Sequence, residues 1–322
     1  MDVIVLHKWS EGVPLTVTPE HLEIIRAHAE HVYMFETEEE LLASGADGDV
    51  LFTWGGSGMQ AERFCLGSKK LKWFSSFSAG MDPVMNSRIR EKDIYITNAA
   101  GIHGKTMGVT AIGYIISHMR RFQAISANQR EHRWSHDFGR FEPSEPEGHT
   151  LGIVGAGAIG SQTAAYAKAL NFRVIGVRRK SVTMENFDAM YTNEQLDEAL
   201  GQMDYCVVVL PHTKETTGFF DYRHLHALKK GAFLVNIGRG KVVETDALIR
   251  VLREGHLSGC ALDALDPEPL NADSPLWDME DVFISPHCSA VSPLYMDRAV
   301  NQFADNLRRF KSGDKLINIV TA

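Results

Sequence analysis

The 322-residue sequence predicts an α/β protein of two domains, one of them built on a doubly wound parallel sheet. Three observations carry this prediction. The chain is about twice the roughly 150 residues of an average domain. Short apolar runs alternate with amphipathic stretches, as they do where parallel strands are joined by crossover helices. A glycine-rich turn, Gly155-Ala156-Gly157-Ala158-Ile159-Gly160, joins an apolar run to an alanine-rich helical stretch.

Taken in order, Asp2–Leu6 is the first strand. Thr18-Pro19-Glu20 opens a helix, with a capping hydroxyl, proline at the first helical position, and apolar Leu22, Ile25 and Ala29 on one face. Strands follow at 32–35, 49–54 and 71–74, the last leading into Phe77–Asp82. Residues 102–129 hold no proline and repeat apolar residues at Val109, Ile112, Ile115, Ile116, Met119 and Phe122, which predicts one long helix. Phe141–Gly148 is a proline-rich loop. A second series begins at His149, with strands near 150–154, 173–177, 204–210, 232–237, 259–262 and 282–285. A last helix, about 292–311, is expected to return to the first domain. The predicted domains are 1–100 with 289–322, and 101–288.

Composition narrows the function. Hydrophobic residues at 44% and charged residues at 23% are ordinary for a globular chain. A net charge of −8 argues against nucleic acid or an anionic membrane as a main partner. No apolar run approaches the roughly 18 residues of a membrane span. The N-terminal strand lacks the features of a secretory leader, so a cytoplasmic protein is expected. Cys65, Cys206, Cys260 and Cys288 are far apart, so no disulfide or metal framework is expected.

The glycine turn has the chemistry of a dinucleotide site. Gly155 suits the tight turn, Gly157 the close approach of a pyrophosphate, and Gly160 close helix–strand packing. Free N–H groups near Ala158 and Ile159 would face the phosphates at the positive end of the helix dipole. The next strand, 172–177, should end on a carboxylate if the cofactor is NAD. It ends instead on Arg178-Arg179-Lys180-Ser181. Three cations and a hydroxyl suit the 2′-phosphate of NADP. A short basic run is ordinarily a solvated loop, but this one lies about 20 residues beyond the glycines, where the ribose is read. NADP is therefore the expected cofactor, with NAD weaker.

Three further strand ends carry candidate groups: Asn236–Gly240, Leu262–Leu270 and Ser285–Ser289. Ligands bind beyond the carboxyl ends of such strands. Arg239 could hold a substrate carboxylate, and His287 could protonate a carbonyl oxygen with Glu268 orienting it. Singly, each has a plainer reading as a loop arginine, a turn residue between Pro267 and Pro269, or a packed histidine. The case rests on the three together. His21, His28, His31, His224 and His226 are read as helix-surface residues without a role, and Asp2 and Asp49 as structural acids. The loops Trp54–Gly58 and Ser78–Asp82 each follow a strand and can offer N–H groups to an anion.

These motifs, GAGAIG (155–160), NIGRG (236–240), LDALDPEPL (262–270) and SPHCS (285–289), resemble those of the D-isomer-specific 2-hydroxyacid dehydrogenase family, and of its NADP-preferring, glyoxylate/hydroxypyruvate reductase-like members. The resemblance implies a Rossmann-type domain inserted into a smaller flavodoxin-like substrate domain, with the active site in the cleft and homodimerisation through the nucleotide domain. It implies that Arg239 binds the substrate carboxylate and that Glu268 and His287 form the acid–base pair. It places Asp263 near the nicotinamide amide, and Leu210, Pro211, Thr216, Ile237 and Gly238 along the cofactor. It assigns Ala79 and Gly80 to the substrate carboxylate; Trp54, Gly55 and Gly56 are expected to serve the substrate in the same scheme, with Trp54 either walling the pocket or packed in the core. Two features depart from relatives or divide them. Val109 stands where many carry an acid, and the retained Glu268 argues against formate as substrate. With only a short segment after the last helix, the regulatory domain of many phosphoglycerate dehydrogenases is not expected.

The leading functional reading is NADPH-dependent reduction of a small 2-oxo acid to the D-2-hydroxy acid. The alternative is an NADP(H)-sensing, corepressor-like binding protein. The intact Arg–Glu–His set weighs against that alternative, because a sensor needs no proton donor.

Overall fold

A computed structural model of the chain describes residues 1–7, 15–56, 58–180 and 182–320. They form two compact units, residues 1–103 with the chain from 291 onward, and residues 104–290.

The first unit runs β1 (Asp2–Leu6), α1 (Pro19–Arg26), β2 (His31–Phe35), α2 (Glu38–Ser44), β3 (Val50–Thr53), α3 (Glu62–Gly67), β4 (Trp73–Ser76), α4 (Asp82–Met85) and β5 (Tyr95–Thr97), and closes with the helix Tyr295–Ser312. Its strands pair in parallel in the order β2-β1-β3-β4-β5, the flavodoxin-like winding. Strand alternation divides the core. Val3, Val5, Val50, Phe52 and Trp73 pack against Ile25 of α1 and Val300, Phe303 and Leu307 of the C-terminal helix. Ile4, Leu6, Leu51 and Phe74 pack on the other side against Leu41, Phe64 and Val84.

Helix α1 starts as predicted, with the Thr18 hydroxyl accepting from the His21 N–H. His21 itself is buried, contrary to its assignment to a helix surface. Its Nδ1 accepts from the Thr18 N–H, and its Nε2 lies 2.7 Å from Asp297 on the C-terminal helix. The imidazole thus ties two helices together, which a three- to four-residue periodicity does not reveal. His31 opens β2 rather than lying on a helix, and His28 falls just beyond α1. Asp49 is structural as expected, accepting from the Asp2 N–H at 2.9 Å.

The second unit runs α5 (Gly104–Met119), α6 (Phe122–Arg130), β6 (Thr150–Val154), α7 (Ala158–Ala169), β7 (Arg173–Val177), β8 (Ala189–Tyr191), α8 (Leu196–Leu200), β9 (Tyr205–Val208), α9 (Tyr222–Ala227), β10 (Phe233–Asn236), α10 (Thr245–Arg253), β11 (Gly259–Leu262) and β12 (Val282–Ile284). The parallel order is β12-β11-β10-β9-β6-β7-β8. Winding reverses between β6 and β9, as in a Rossmann sheet with one strand added. Both faces are covered. Val154, Val177, Val208 and Leu234 face one layer. Leu151, Ile153, Val207 and Val235 face the layer of α5 and α7.

The single helix expected over 102–129 is two. Arg121 interrupts it in the left-handed region, at φ 57°. Its buried guanidinium donates to Asp281 at 2.8 Å and to the Phe138 carbonyl at 3.1 Å. A buried, paired cation overrides an apolar periodicity that would otherwise have continued the helix. The three-residue strands β5 and β8 were too short to register as separate runs. Val109 stands 58% exposed on α5, so an acid there is not needed for packing within this unit.

Candidate functional site

Each glycine of the turn after β6 answers a backbone need. Gly155 adopts φ +103°, and a Cβ on it would lie 2.6 Å from the Val209 carbonyl. A Cβ on Gly160 would lie 2.9 Å from the Gly155 carbonyl and 3.0 Å from Ile153, so only glycine lets α7 sit this close to β6. Around Gly157 there is open space at the helix start. No side chain caps α7, which leaves the N–H groups near Ala158 and Ile159 facing outward. An anionic diphosphate fits such a cradle.

At the end of β7 the Arg178 N–H donates to the Tyr191 carbonyl, and its half-buried guanidinium rests 3.3 Å from Met184 Sδ. Arg179 and Lys180 are exposed, and Ser181 lies outside the described residues. The charge of Arg179 is felt by Glu215, whose carboxyl is held below its usual range, chiefly by the Thr213 hydroxyl. In the loop after β9, Leu210 is half-buried and Pro211 exposed. The Thr216 hydroxyl accepts from the Thr213 N–H and donates to the Pro211 carbonyl, both at 2.7 Å, so it braces this loop.

Beyond β10, Ile237 is buried. Gly238 presses on the Leu210 backbone, where a Cβ would come within 2.7 Å of the carbonyl oxygen. Arg239 is half-buried, its Nη1 donating to the Gly238 carbonyl at 2.8 Å. After β11, the Glu268 carboxylate accepts from the Leu265 N–H at 2.8 Å and lies 3.0 Å from His287 Nδ1. An ionised carboxylate only accepts, so Nδ1 carries the proton of that bond and Nε2 is left for another partner. The hydrogen bond to Glu268 raises the His287 pKa, against burial and the Arg239 charge. Burial pushes the Glu268 carboxyl upward, but its bonds to His287 and Leu265 and the charges of His287 and Arg239 outweigh this and hold it low. A histidine whose proton is held more tightly by a carboxylate, at the mouth of a dinucleotide sheet, can give a proton to an oxygen anion.

Asp263, at the end of β11, is only 1% exposed. Its carboxylate accepts from Ser285 Oγ (2.6 Å), the Cys288 N–H (2.8 Å) and the Ser289 N–H (3.0 Å). It holds the segment that carries His287. Among the described residues no cluster of three or more His, Cys, Asp or Glu could take a metal ion. All four cysteines are free thiols, and Cys288 is exposed.

In the first unit, the loops after β3 and β4 make a second anion-suited surface. The Ser76 hydroxyl accepts from the N–H groups of Gly55 (3.0 Å) and Ser78 (2.9 Å). The N–H groups of Gly56, Ala79 and Gly80 make no hydrogen bond among the described residues. Trp54 is half-buried with its ring 5.8 Å from that of Phe77, and a Cβ on Gly56 would strike the indole. Ser57 lies outside the described residues.

Residues 112–289 match the family model described as D-isomer specific 2-hydroxyacid dehydrogenase, NAD binding domain. The chain belongs to this family. It is 30% identical over 305 residues to the glyoxylate reductase of Thermococcus onnurineus, covering 91% of this chain and 90% of that one. A D-isomer specific 2-hydroxyacid dehydrogenase family protein from Aeromonas salmonicida superposes with a TM-score of 0.86 at 30% identity, over 99% and 98% of the two chains. The NADPH-dependent glyoxylate/hydroxypyruvate reductase of Sinorhizobium meliloti, solved with NADP and sulfate, superposes at 0.81 with 26% identity, again over 99% and 98%. As a 2-hydroxyacid dehydrogenase, the chain is an oxidoreductase with a nicotinamide cofactor. None of the described helices is long and apolar enough to cross a membrane.

In this 2-hydroxyacid dehydrogenase the sequence gives no role to Tyr114, and Ser285 enters only as the first residue of the SPHCS segment. Tyr114 Oη donates to Ser285 Oγ at 2.5 Å. Tyr114 sits among Ile112, Ile115 and Ile116, where it reads as one more apolar helix residue. Ser285 reads as a strand end, and only a contact across the unit distinguishes either.

Proposed function

We propose that this 2-hydroxyacid dehydrogenase reduces a small 2-oxo acid to the D-2-hydroxy acid, with NADPH preferred over NADH. The observation that carries the reading is the Glu268–His287 hydrogen bond beside the charge of Arg239, on loops of the sheet that carries the glycine cradle. The bound reduced nicotinamide supplies the hydride. Arg239 holds the carboxylate of the acid and polarises its carbonyl. His287 gives its Nε2 proton to the carbonyl oxygen, and Glu268 stabilises the imidazolium before that transfer. The N–H groups of Gly56, Ala79 and Gly80, on the first unit, are assigned to an anion. Gly155, Gly157 and Gly160, with the N–H groups of Ala158 and Ile159, are assigned to the pyrophosphate, and Leu210, Pro211, Ile237 and Gly238 to the cofactor's flank.

The preference for NADPH rests on Arg178, Arg179 and Lys180 where an NAD site has a carboxylate. The Sinorhizobium relative, which binds NADP, supports it. We assign a second copy of the chain as partner. Phe122, Ile125 and the 98%-exposed Trp134 are apolar side chains left open on the second unit, which self-association would cover.

The test follows consumption of reduced cofactor, NADPH or NADH, with glyoxylate, hydroxypyruvate, pyruvate and a branched 2-oxo acid. Saturable turnover favouring NADPH is expected. Tight NADPH binding without turnover of any acid would overturn the reading in favour of a sensor.

A further inference from the structure

We propose that Tyr114 is a positioning residue for His287, acting through Ser285 and the buried carboxylate of Asp263. The inference rests on the reading of His287 as the proton donor and names residues that hold it in place.

Ser285 donates its single hydroxyl hydrogen to Asp263 Oδ1 at 2.6 Å. Ser285 Oγ must then accept from Tyr114 Oη, 2.5 Å away. Burial raises the Tyr114 pKa and keeps the phenol protonated for this role. The tyrosine ring is set against Phe283 of β12, centroids 5.8 Å apart, so α5 presents the hydroxyl from a packed position.

The carboxylate at the end of this chain grips both flanks of His287. On one side it takes the Ser285 hydroxyl. On the other it takes the Cys288 N–H at 2.8 Å and the Ser289 N–H at 3.0 Å. Between these attachments His287 lies at φ 51°, the left-handed region that side-chain-bearing residues avoid. A residue held there persists only where its surroundings over-determine it. Other local tethers are the Ser285 N–H to the Leu262 carbonyl and the His287 N–H to the Ser285 carbonyl, both at 3.0 Å, and the Thr110 hydroxyl to the Ser289 carbonyl at 3.4 Å. Without Tyr114, the Ser285 hydroxyl has lost the donor that fixes its rotamer, and one flank of the clamp loosens. The Nδ1–Glu268 contact then weakens with it.

This use of Asp263 differs from its assignment to the nicotinamide amide. Its oxygens already meet three donor groups of the His287 segment.

The experiment compares Tyr114→Phe, Ser285→Ala and the double variant with the wild type. Tyr114→Phe is expected to lower kcat about fivefold, what a neutral hydrogen bond is worth, with KM for NADPH unchanged. The double variant should be no worse than Ser285→Ala alone, because Tyr114 acts through Ser285. Ser285→Thr, which keeps the hydroxyl, should restore activity. The titration of the His287 imidazole, followed by NMR without substrate and assigned with His287→Gln, should move to lower pH in Tyr114→Phe. Retained NADPH binding checks the fold. An unmoved titration, or losses in the double variant equal to the product of the singles, would overturn the proposal. The titration needs no turnover, so a wild type that reduces no 2-oxo acid would refute the functional reading while the clamp is still decided.

Discussion

Glu268 Oε2 and His287 Nδ1 lie 3.0 Å apart, joining the segment after β11 to the segment after β12. The carboxylate raises the histidine's pKa, and the histidine helps to hold the carboxyl's pKa down. Reduction requires the protonated imidazole, so activity should be full at low pH and fall as pH rises through the raised His287 pKa. Glu268→Gln removes the charge that raises it. The basic limb of the kcat/KM profile for reduction should then shift to lower pH. A limb that stays in place would remove Glu268 as the partner that tunes His287.

Arg179→Ala should separate the two cofactors. A charge-assisted hydrogen bond of about 1.5–3 kcal/mol corresponds to a roughly tenfold to hundredfold rise in KM for NADPH. KM for NADH should change little, since NADH has no 2′-phosphate. Equal rises for both cofactors would sink the phosphate assignment.

His118 makes a separate stability prediction. Its ring stacks on Phe233 with centroids 4.1 Å apart. Burial, aided by the Arg121 charge, pushes its pKa down to about 4. The unfolded chain therefore takes up this proton first, and the stabilising difference is lost as pH falls from about 6.5 toward 4. The loss is on the order of 3 kcal/mol. His118→Phe should flatten the pH dependence of the urea midpoint between pH 7 and roughly 4.5. A variant as acid-sensitive as the wild type would place the titration elsewhere.

Self-association should depend on the open apolar side chains of the second unit. Trp134→Ser combined with Phe122→Glu is expected to shift sedimentation from dimer to monomer without loss of helical signal. A wild type that sediments as a monomer would remove the second copy as partner.

Much of the architecture was legible because period and punctuation agree. Thr18 and Pro19 start α1, and three glycines at fixed spacing start α7, each visible without a tertiary contact. The Arg239, Glu268 and His287 positions were legible because a doubly wound sheet sends its strand ends to one edge. What was hidden depends on contacts distant in sequence. Arg121 breaks a periodic helix because Asp281 lies within 2.8 Å of it. His21 is buried because Asp297 meets it, 276 residues later. Tyr114 carries a hydroxyl on an apolar face, and only Ser285 gives that hydroxyl a meaning.

The most direct test of the central claim is His287→Gln. Turnover of the preferred 2-oxo acid and the equilibrium binding of NADPH should be measured on the same preparation. Turnover should fall by about 10²–10⁴-fold, the usual value of a positioned acid, while NADPH binding stays within about twofold. Near-wild-type turnover in the variant would contradict the account, because the proton would then come from another group.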